Sequence, residues 1–367
     1  MQLKQIPRDA LLKPLSAVSG IVERRHTLPI LANVLLEQKN GQLHVTATDL
    51  EMQITAVADL PGKDGQSTTV GARKLQDLLR ALPDDAQVNI DATGSRMTVR
   101  AGRSRFNLQT LAASDYPRIN VGQDKLQSLT LAQRDLRSLL KLAEFAMAQQ
   151  DIRYYLNGML LVVDNGALQA VATDGHRLSW ASLAVDGDYA HAEVILPRKT
   201  VLELSKLLQD DDTPVTIDIL ANQARFRFAN VELVSKVVDG KFPDYNRVIP
   251  AAHGKKIELE RVALLSALSR AAILSNEKFR GVRLVLGDDQ LKIICTNSEQ
   301  EEAEEQIPVA YAGEAIDIGF NITYLLDVLS NLNGEKVNFA FGDANSSALV
   351  TLPERDDYKY VVMPMRI

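Results

Sequence analysis

The sequence predicts an α+β protein in which one domain is written three times, each copy two helices laid on antiparallel sheet. Two observations predict it. The first is internal alignment. Residues 33–49 (NVLLEQKNGQLHVTATD), 157–174 (NGMLLVVDNGALQAVATD) and 281–297 (GVRLVLGDDQLKIICTN) match one another. Thr48-Asp49, Thr173-Asp174 and Thr296-Asn297 lie 125 and 123 residues apart, a domain length and not a solenoid period. The second is a fixed order of helical and alternating patterns around each matching core.

The elements of each copy follow in that order. Short extended stretches open the copies at 1–6, 127–131 and 256–259. A helix follows each, marked by Leu11, Leu12, Leu15, Val18 and Val22, by Leu136, Leu140, Ala143 and Met147, and by Leu264, Leu265, Leu268 and Ala272. Pro14 falls late for a first helical turn, so distortion of the first helix is expected there. After the core hairpin comes a second helix, at 73–82, 198–208 and 321–332, each with one apolar stripe. Arg73-Lys74 and Arg198-Lys199 match at a distance of 125, with Asn321-Ile322 in the third place. Alternating strands close each copy, at 97–100 and 106–111, 215–219 and 224–228, and 337–341 and 348–352. Asp115-Tyr116-Pro117-Arg118-Ile119 returns as Asp244-Tyr245-Asn246-Arg247-Val248, 129 residues on. The expected domains are 1–125, 126–251 and 252–367. No long Gly/Ser linker separates them, so rigid juxtaposition is expected.

Composition sets the class. No apolar run approaches the roughly 20 residues of a membrane span, and no signal-peptide core opens the chain. Cys295 is the single cysteine, which suits a reducing cytoplasm and reads as a small buried apolar residue on a strand. Five scattered His and one Cys give no metal-ligand spacing. No cofactor or metal is expected.

Charge is informative when divided. The net is +3 over residues 1–125, −3 over 126–250 and −6 over 251–367. The acidic whole, −6, argues against a tight grip on phosphates. Yet Arg24, Arg25, Arg73, Lys74 and Arg80, with Arg134, Arg137, Lys141, Arg198, Lys199 and Lys206, cluster on or beside the helices. They make either an inner basic surface or solvated helix faces without a partner. Arg96, Arg100, Arg103 and Arg105 flank Phe106 and Leu108 in the first copy, whereas Glu299, Glu301, Glu302, Glu304 and Glu305 cluster in the third. A basic head and an acidic tail suit a charge-steered, head-to-tail contact between two chains, which with the right rotation closes a ring. A solvated acidic face is the alternative.

The runs LLKPLSAVSG, TLPILANVLL, TATDLEM, GRSRFNL, QDIRYYLNGM, VATDGHRL, SKVVDGKFPDYNRV, RAAILSNEKFRGVRL, EQEEAEE and YVVMPMR span essentially the whole chain. In these runs it resembles the bacterial DNA polymerase III beta subunits, the sliding-clamp family. The resemblance implies three clamp domains per chain and a head-to-tail homodimer forming a six-domain ring around duplex DNA, held by topology without sequence preference. It implies a non-catalytic processivity factor that tethers the polymerase alpha subunit, the clamp loader, other DNA polymerases and repair proteins through short linear motifs. A cytoplasmic, nucleoid-associated location follows.

The resemblance also implies sites. A motif pocket would use Leu156, Thr173, Gly175, His176, Arg177 and Leu178, then Pro243, Arg247 and Val248, then Asn321, Tyr324, Ser347, Val362, Met363, Pro364, Met365 and Arg366. The simpler reading of the terminal VVMPM is a last core strand with a frayed end. Asn345 stands where an apolar wall residue is expected. DNA would meet Arg25, Arg73, Gln150, Tyr154, Tyr155, Arg198 and Lys199, although the tyrosine pair also fits core packing. The dimer contact would set Lys74, Arg96, Arg103, Arg105, Phe106 and Leu108 against Ile273, Leu274, Glu299, Glu301, Glu302 and Glu305.

Two other functions compete. A non-encircling adaptor would use the same pocket without ring closure. An enzyme would need His176 and Asp174 as an acid–base pair. No nucleophile, Walker loop or Rossmann fingerprint accompanies them.

Overall fold

The structure, a computed structural model, describes residues 1–23, 28–251 and 253–367. The first repeat runs β1 (Gln2–Pro7), α1 (Arg8–Ser19), β2 (Asn33–Lys39), β3 (Gln42–Thr48), β4 (Met52–Ala58), β5 (Ser67–Gly71), α2 (Ala72–Ala81), β6 (Gln87–Thr93), β7 (Arg96–Ala101) and β8 (Ser104–Gln109). The second runs β9 (Lys125–Ala132), α3 (Gln133–Glu144), β10 (Gly158–Asp164), β11 (Ala167–Thr173), β12 (Arg177–Ala184), β13 (Ala192–Pro197), α4 (Arg198–Leu207), β14 (Pro214–Leu220), β15 (Gln223–Phe228) and β16 (Val231–Lys236). The third runs β17 (Lys255–Glu260), α5 (Arg261–Ala271), β18 (Gly281–Gly287), β19 (Gln290–Thr296), β20 (Glu302–Pro308), β21 (Ile316–Asn321), α6 (Ile322–Asn331), β22 (Lys336–Phe341), β23 (Ala348–Thr351) and β24 (Tyr358–Val362). Strands and helices alternate identically in all three.

The helices form where the apolar spacing places them, and end earlier than the apolar residues do. Val22 and Met147 are buried but lie past the last turns of α1 and α3. Burial continues beyond a helix end because the following turn packs on the same core. Pro14 does not break α1, which stays helical from Arg8 to Ser19. The ring removes one N–H from the ladder, and its burial beside Leu11, Leu15 and Val18 offsets that loss.

The chain forms two compact units that cut across the repeats. One comprises residues 1–136 and 202–237, the other 137–201 and 238–367. In the first unit an antiparallel sheet is ordered β1-β6-β7-β8, and a larger one β5-β2-β3-β4-β16-β15-β14-β9. The seam between repeats is the β4–β16 pair, in which Ala56 faces Val231 and Met52 faces Ser235. The second unit carries β20-β19-β18-β21 and β13-β10-β11-β12-β24-β23-β22-β17. Its seam is β12–β24, with Arg177 facing Val362 and Leu178 facing Val361. Merging strands this way leaves fewer open edges than separate sheets would.

Polar anchors fix the chain where the first repeat passes to the second. Gln223 is buried; its side-chain oxygen accepts from Gly122 N at 2.9 Å and its amide donates to Asn120 O at 3.0 Å. Asp218 is fully buried and meets Lys125 at 2.9 Å, Arg225 at 2.6 Å and Arg227 at 3.2 Å. Its burial raises the carboxyl pKa, but Ser128, Lys125 and Arg225 outweigh that and hold it at about 2. Cys295 is buried on β19, and burial pushes its thiol up to about 11, so it is not a thiolate at neutral pH.

Candidate motif pocket and interaction edges

All the predicted pocket residues belong to the second unit, several of them on the turn between β11 and β12. Asp174 Oδ1 accepts from the N–H of His176 at 2.9 Å and of Arg177 at 3.0 Å. Gly175 N donates to Thr173 Oγ1 at 3.1 Å, and Thr173 Oγ1 donates to Arg177 O at 2.6 Å. Such a turn suits Thr-Asp-Gly: Asp and Thr cap backbone donors, and Gly175 takes φ +89°, which a Cβ would strain.

Arg177 then enters the protein. Its guanidinium donates to Asp174 at 3.1 Å, Asp327 at 2.6 Å and the Phe145 carbonyl at 2.7 Å. It also lies 4.5 Å from the Tyr324 ring centroid and 5.7 Å from that of Phe145. Burial alone would lower its pKa; Tyr360, Asp327 and Asp174 reverse that, so it stays charged. A half-buried charge with this many partners is held in one geometry.

The terminal segment meets the same turn. Met363 N donates to His176 O at 2.9 Å, and Met365 N donates to Gly319 O at 2.8 Å. The segment is therefore tied down beyond β24, not frayed. Gly319 has to be glycine here, because a Cβ would sit 2.4 Å from Met365 O. Leu156, Leu178 and Val362 are each at most 2% exposed and belong to the core beneath this turn. Met363, 48% exposed, and Val248, 44% exposed, are large apolar side chains open to solvent. A third side comes from the segment after β16. Phe242 packs with Leu160, Leu178, Ile195 and Val361, which carries Pro243, Arg247 and Val248 to the surface. Arg247 pairs with Asp244 at 3.0 Å. Asn321 caps α6 by accepting from Thr323 N at 2.9 Å, and Ser347 O contacts His253 Nε2 at 2.8 Å. Pro364 is half-buried and Arg366 exposed, while Asn345 is exposed on the turn after β22.

The expected DNA-facing residues separate into accessible and packed sets. Gln150 is exposed at φ +58°, in a loop pinned by Asn157, which receives Asp151 N at 2.9 Å and donates to Asp151 O at 2.8 Å. Tyr154 is 58% exposed, whereas Tyr155 packs against the Leu178–Phe242 cluster. The two rings meet edge-on at 5.8 Å. Only Tyr154 presents a free stacking face. Arg198 donates to Met147 O at 3.1 Å, and Lys199 is half-buried at the start of α4. In the first unit Arg73 is exposed and reaches Val22 O at 3.4 Å. Arg24 and Arg25 lie outside the described residues. Of the other helix cations, Arg134 pairs with Asp212 and Lys206 with Glu203.

Both units end a sheet in an open edge. In the first unit that edge is β8, where Phe106 and Leu108 alternate with exposed Arg105 and Asn107. Arg96, Arg103 and Lys74 are exposed, and a cavity of about 260 Å³ is lined by Val22, Lys74 and Leu108. In the second unit the edge is β20, with Glu302 and Glu304 exposed. Ile273 is 78% exposed on the turn after α5, and Leu274 half-buried. Glu305 is already bonded within the chain, to Arg270 at 2.7 Å. Glu301 accepts from the Asn297 side chain at 2.6 Å and Glu299 from Ser298 at 3.0 Å.

Sequence reasoning missed Phe145, Asp327, Tyr360 and Arg153. One signal existed: Arg177 stands four residues after Thr173, where the first repeat places the buried Met52 four after Thr48.

Comparison with known proteins follows the same outline. The DNA polymerase III beta subunit N-terminal, central and C-terminal domain families match residues 1–120, 130–244 and 246–366. The chain is 50% identical to the beta sliding clamp of Pseudomonas putida over 366 residues, 99% of both chains. It is 46% identical to that of Escherichia coli K12 over 363 residues, again 99% of both. Among solved structures, a Pseudomonas aeruginosa sliding clamp bound to griselimycin superposes with a TM-score of 0.96 at 48% identity, covering 100% of both chains. The Caulobacter crescentus protein gives 0.93 at 38%, also over 100% of both.

Proposed function

The chain belongs to the DNA polymerase III beta subunits, the beta sliding clamps, and on that premise we propose that two copies close head to tail into a ring around duplex DNA. As a beta sliding clamp it is a non-catalytic accessory subunit, a processivity factor of DNA replication. The observation that carries ring closure is the pair of open sheet edges with unlike charge. Strand β8 offers Arg105 beside Phe106 and Leu108; β20 offers Glu302 and Glu304, and Ile273 is exposed in the same unit. Antiparallel addition of one edge to the other would satisfy both rows of backbone groups. The net charges of +3 and −6 at the two ends steer the approach.

The domains of this reading are 1–125, 126–251 and 252–367. Duplex passes through without base readout, touched by Arg73, Gln150, Tyr154, Arg198 and Lys199. The polymerase alpha subunit, the clamp loader, other polymerases and repair factors take turns at the motif pocket, where Met363 and Val248 offer apolar surface beside the Arg177 turn. Two buried anchors of a motif contribute on the order of 3–6 kcal/mol gross. Ordering the peptide offsets part of it, leaving an exchangeable complex. The cell location is the cytoplasm, on the nucleoid. Among the described residues no helix is long and apolar enough to cross a membrane.

Sedimentation equilibrium together with primer extension tests this reading. A dimer mass and longer extension products per binding event support it. A monomer at micromolar concentration that still binds the motif would instead favour an adaptor that never encircles DNA.

A further inference from the structure

Arg153 lies between two sites that the proposed function keeps apart. Its backbone N–H and Nε donate to Asp151 Oδ1 at 2.8 and 3.0 Å, and Nη2 donates to Asp151 Oδ2 at 2.9 Å. The same Nη2 reaches the carbonyl of Asp174 at 3.2 Å. Asp151 is tied in turn to Asn157 through both backbone groups. One guanidinium thus joins the loop that carries Gln150 and Tyr154 to the turn that carries Gly175 and His176. The two lie close: a Cβ on Gly175 would come within 2.7 Å of Nη2 of Arg153, the mobile end of an exposed side chain. The hydrogen bonds from Arg153 hold the Asp151 carboxyl down at about 2, so the pair stays ionised at neutral pH. Ile152, beside them, is 95% exposed, so no packing of the tip itself holds the loop and ordering is left for a ligand to supply.

We propose that Arg153 is a positioning residue that couples the two sites, so that duplex contact at the 150–154 loop tightens motif binding at the Gly175–His176 turn. The inference rests on the reading of the loop as DNA-facing and of the turn as pocket wall. The physical basis is shared ordering. DNA at Gln150 and Tyr154 restricts the loop and with it Arg153. The restrained guanidinium then fixes the Asp174 carbonyl, and His176, whose own carbonyl receives Met363 N, is presented in one orientation. A second ligand binding an already ordered site gives up less conformational entropy, which is positive cooperativity without a large shape change. Arginine is required in this place because its planar fork reaches the Asp151 carboxylate and the Asp174 carbonyl together; an ammonium group is a point donor.

The test compares motif affinity with and without DNA. A labelled peptide carrying a Gln followed by two Leu/Phe-type anchors is titrated into free dimer and into dimer loaded on a primed DNA circle. The wild-type chain is expected to bind the peptide at least about fivefold tighter on DNA, the lower range of ordinary coupling. Arg153→Ala and Arg153→Lys are expected to bind it equally on and off DNA, with dimer mass unchanged. Gly175→Ala, which displaces the guanidinium from the other side, should remove the ratio as well. A wild-type ratio of one, a weakening on DNA, or a ratio that survives in both Arg153 variants overturns the inference while leaving the pocket in place. Failure of the wild-type dimer to bind the peptide at all overturns the pocket reading, and the coupling with it.

Discussion

Arg177 occupies in the second repeat the position that Met52 occupies in the first. In both, the threonine four residues earlier donates its hydroxyl to the backbone carbonyl, Thr48 to Met52 at 2.8 Å and Thr173 to Arg177 at 2.6 Å. The backbone latch is the same and the side chain it presents is not. Met52 is buried, whereas Arg177 is met by Asp174, Asp327, the Phe145 carbonyl and two aromatic faces. A core position converted to a half-buried charge marks where this repeat departs from a plain scaffold.

Restoring the first repeat's residue should therefore separate folding from recognition. Arg177→Met leaves Asp174 and Asp327 without their shared cation, and a loss of about 2 kcal/mol in stability is expected. The dimer should persist. Motif-peptide affinity should fall at least about tenfold, read by fluorescence anisotropy. Undiminished affinity would mean that Arg177 only supports the fold.

The terminal segment gives a second expectation. Removing residues 363–367 takes away the Met363 and Met365 backbone bonds and the exposed Met363 surface. Peptide binding and polymerase stimulation should be lost, with dimer mass unchanged by sedimentation. Binding at the original affinity would move the site away from the turn.

The dimer edge gives a third. Ile273→Asp with Leu274→Asp puts two carboxylates beside the Glu302–Glu304 strand, where an apolar contact is expected. Folded monomers should result, with a circular dichroism spectrum like that of the parent. Dimers in sedimentation would place the interface elsewhere.

Acid should act through Asp218. Its folded pKa, about 2, lies below the unfolded aspartate value of about 3.9. Its contribution is complete above about pH 4 and is lost as pH falls through 2, on the order of 2–3 kcal/mol in all. Asp218→Asn should lower Tm at neutral pH, and the gap from the parent should close between pH 4 and 2. A gap that is constant with pH would contradict the ion-pair account.

Much of this was legible because the repeat supplied its own alignment. The Thr-Asp and Thr-Asn matches located β3, β11 and β19 and their turns, and apolar spacing located the six α-helices among the described residues. What stayed hidden involved distance along the chain. Asp327 lies 150 residues from Arg177, and Lys125 joins Asp218 across nearly a whole domain; no local pattern reports such pairs. The merging of β4 with β16 and of β12 with β24 was likewise invisible, because sheet partners are chosen by free edges. Tyr154 and Tyr155 read alike in sequence, and only packing against Phe242's cluster tells the exposed ring from the core ring. The pocket residues came from the family resemblance. Local pattern alone would have left the terminal VVMPM as a last core strand.

Retention on DNA of defined topology tests ring closure most directly. The dimer is loaded onto a nicked circular plasmid, separated by gel filtration, and the plasmid is then cut once. A topological hold predicts co-elution with the circle at salt that screens phosphate contacts, and loss to the free-protein volume after linearisation. Equal retention on circular and linear plasmid, or release from both by salt alone, would contradict a closed ring.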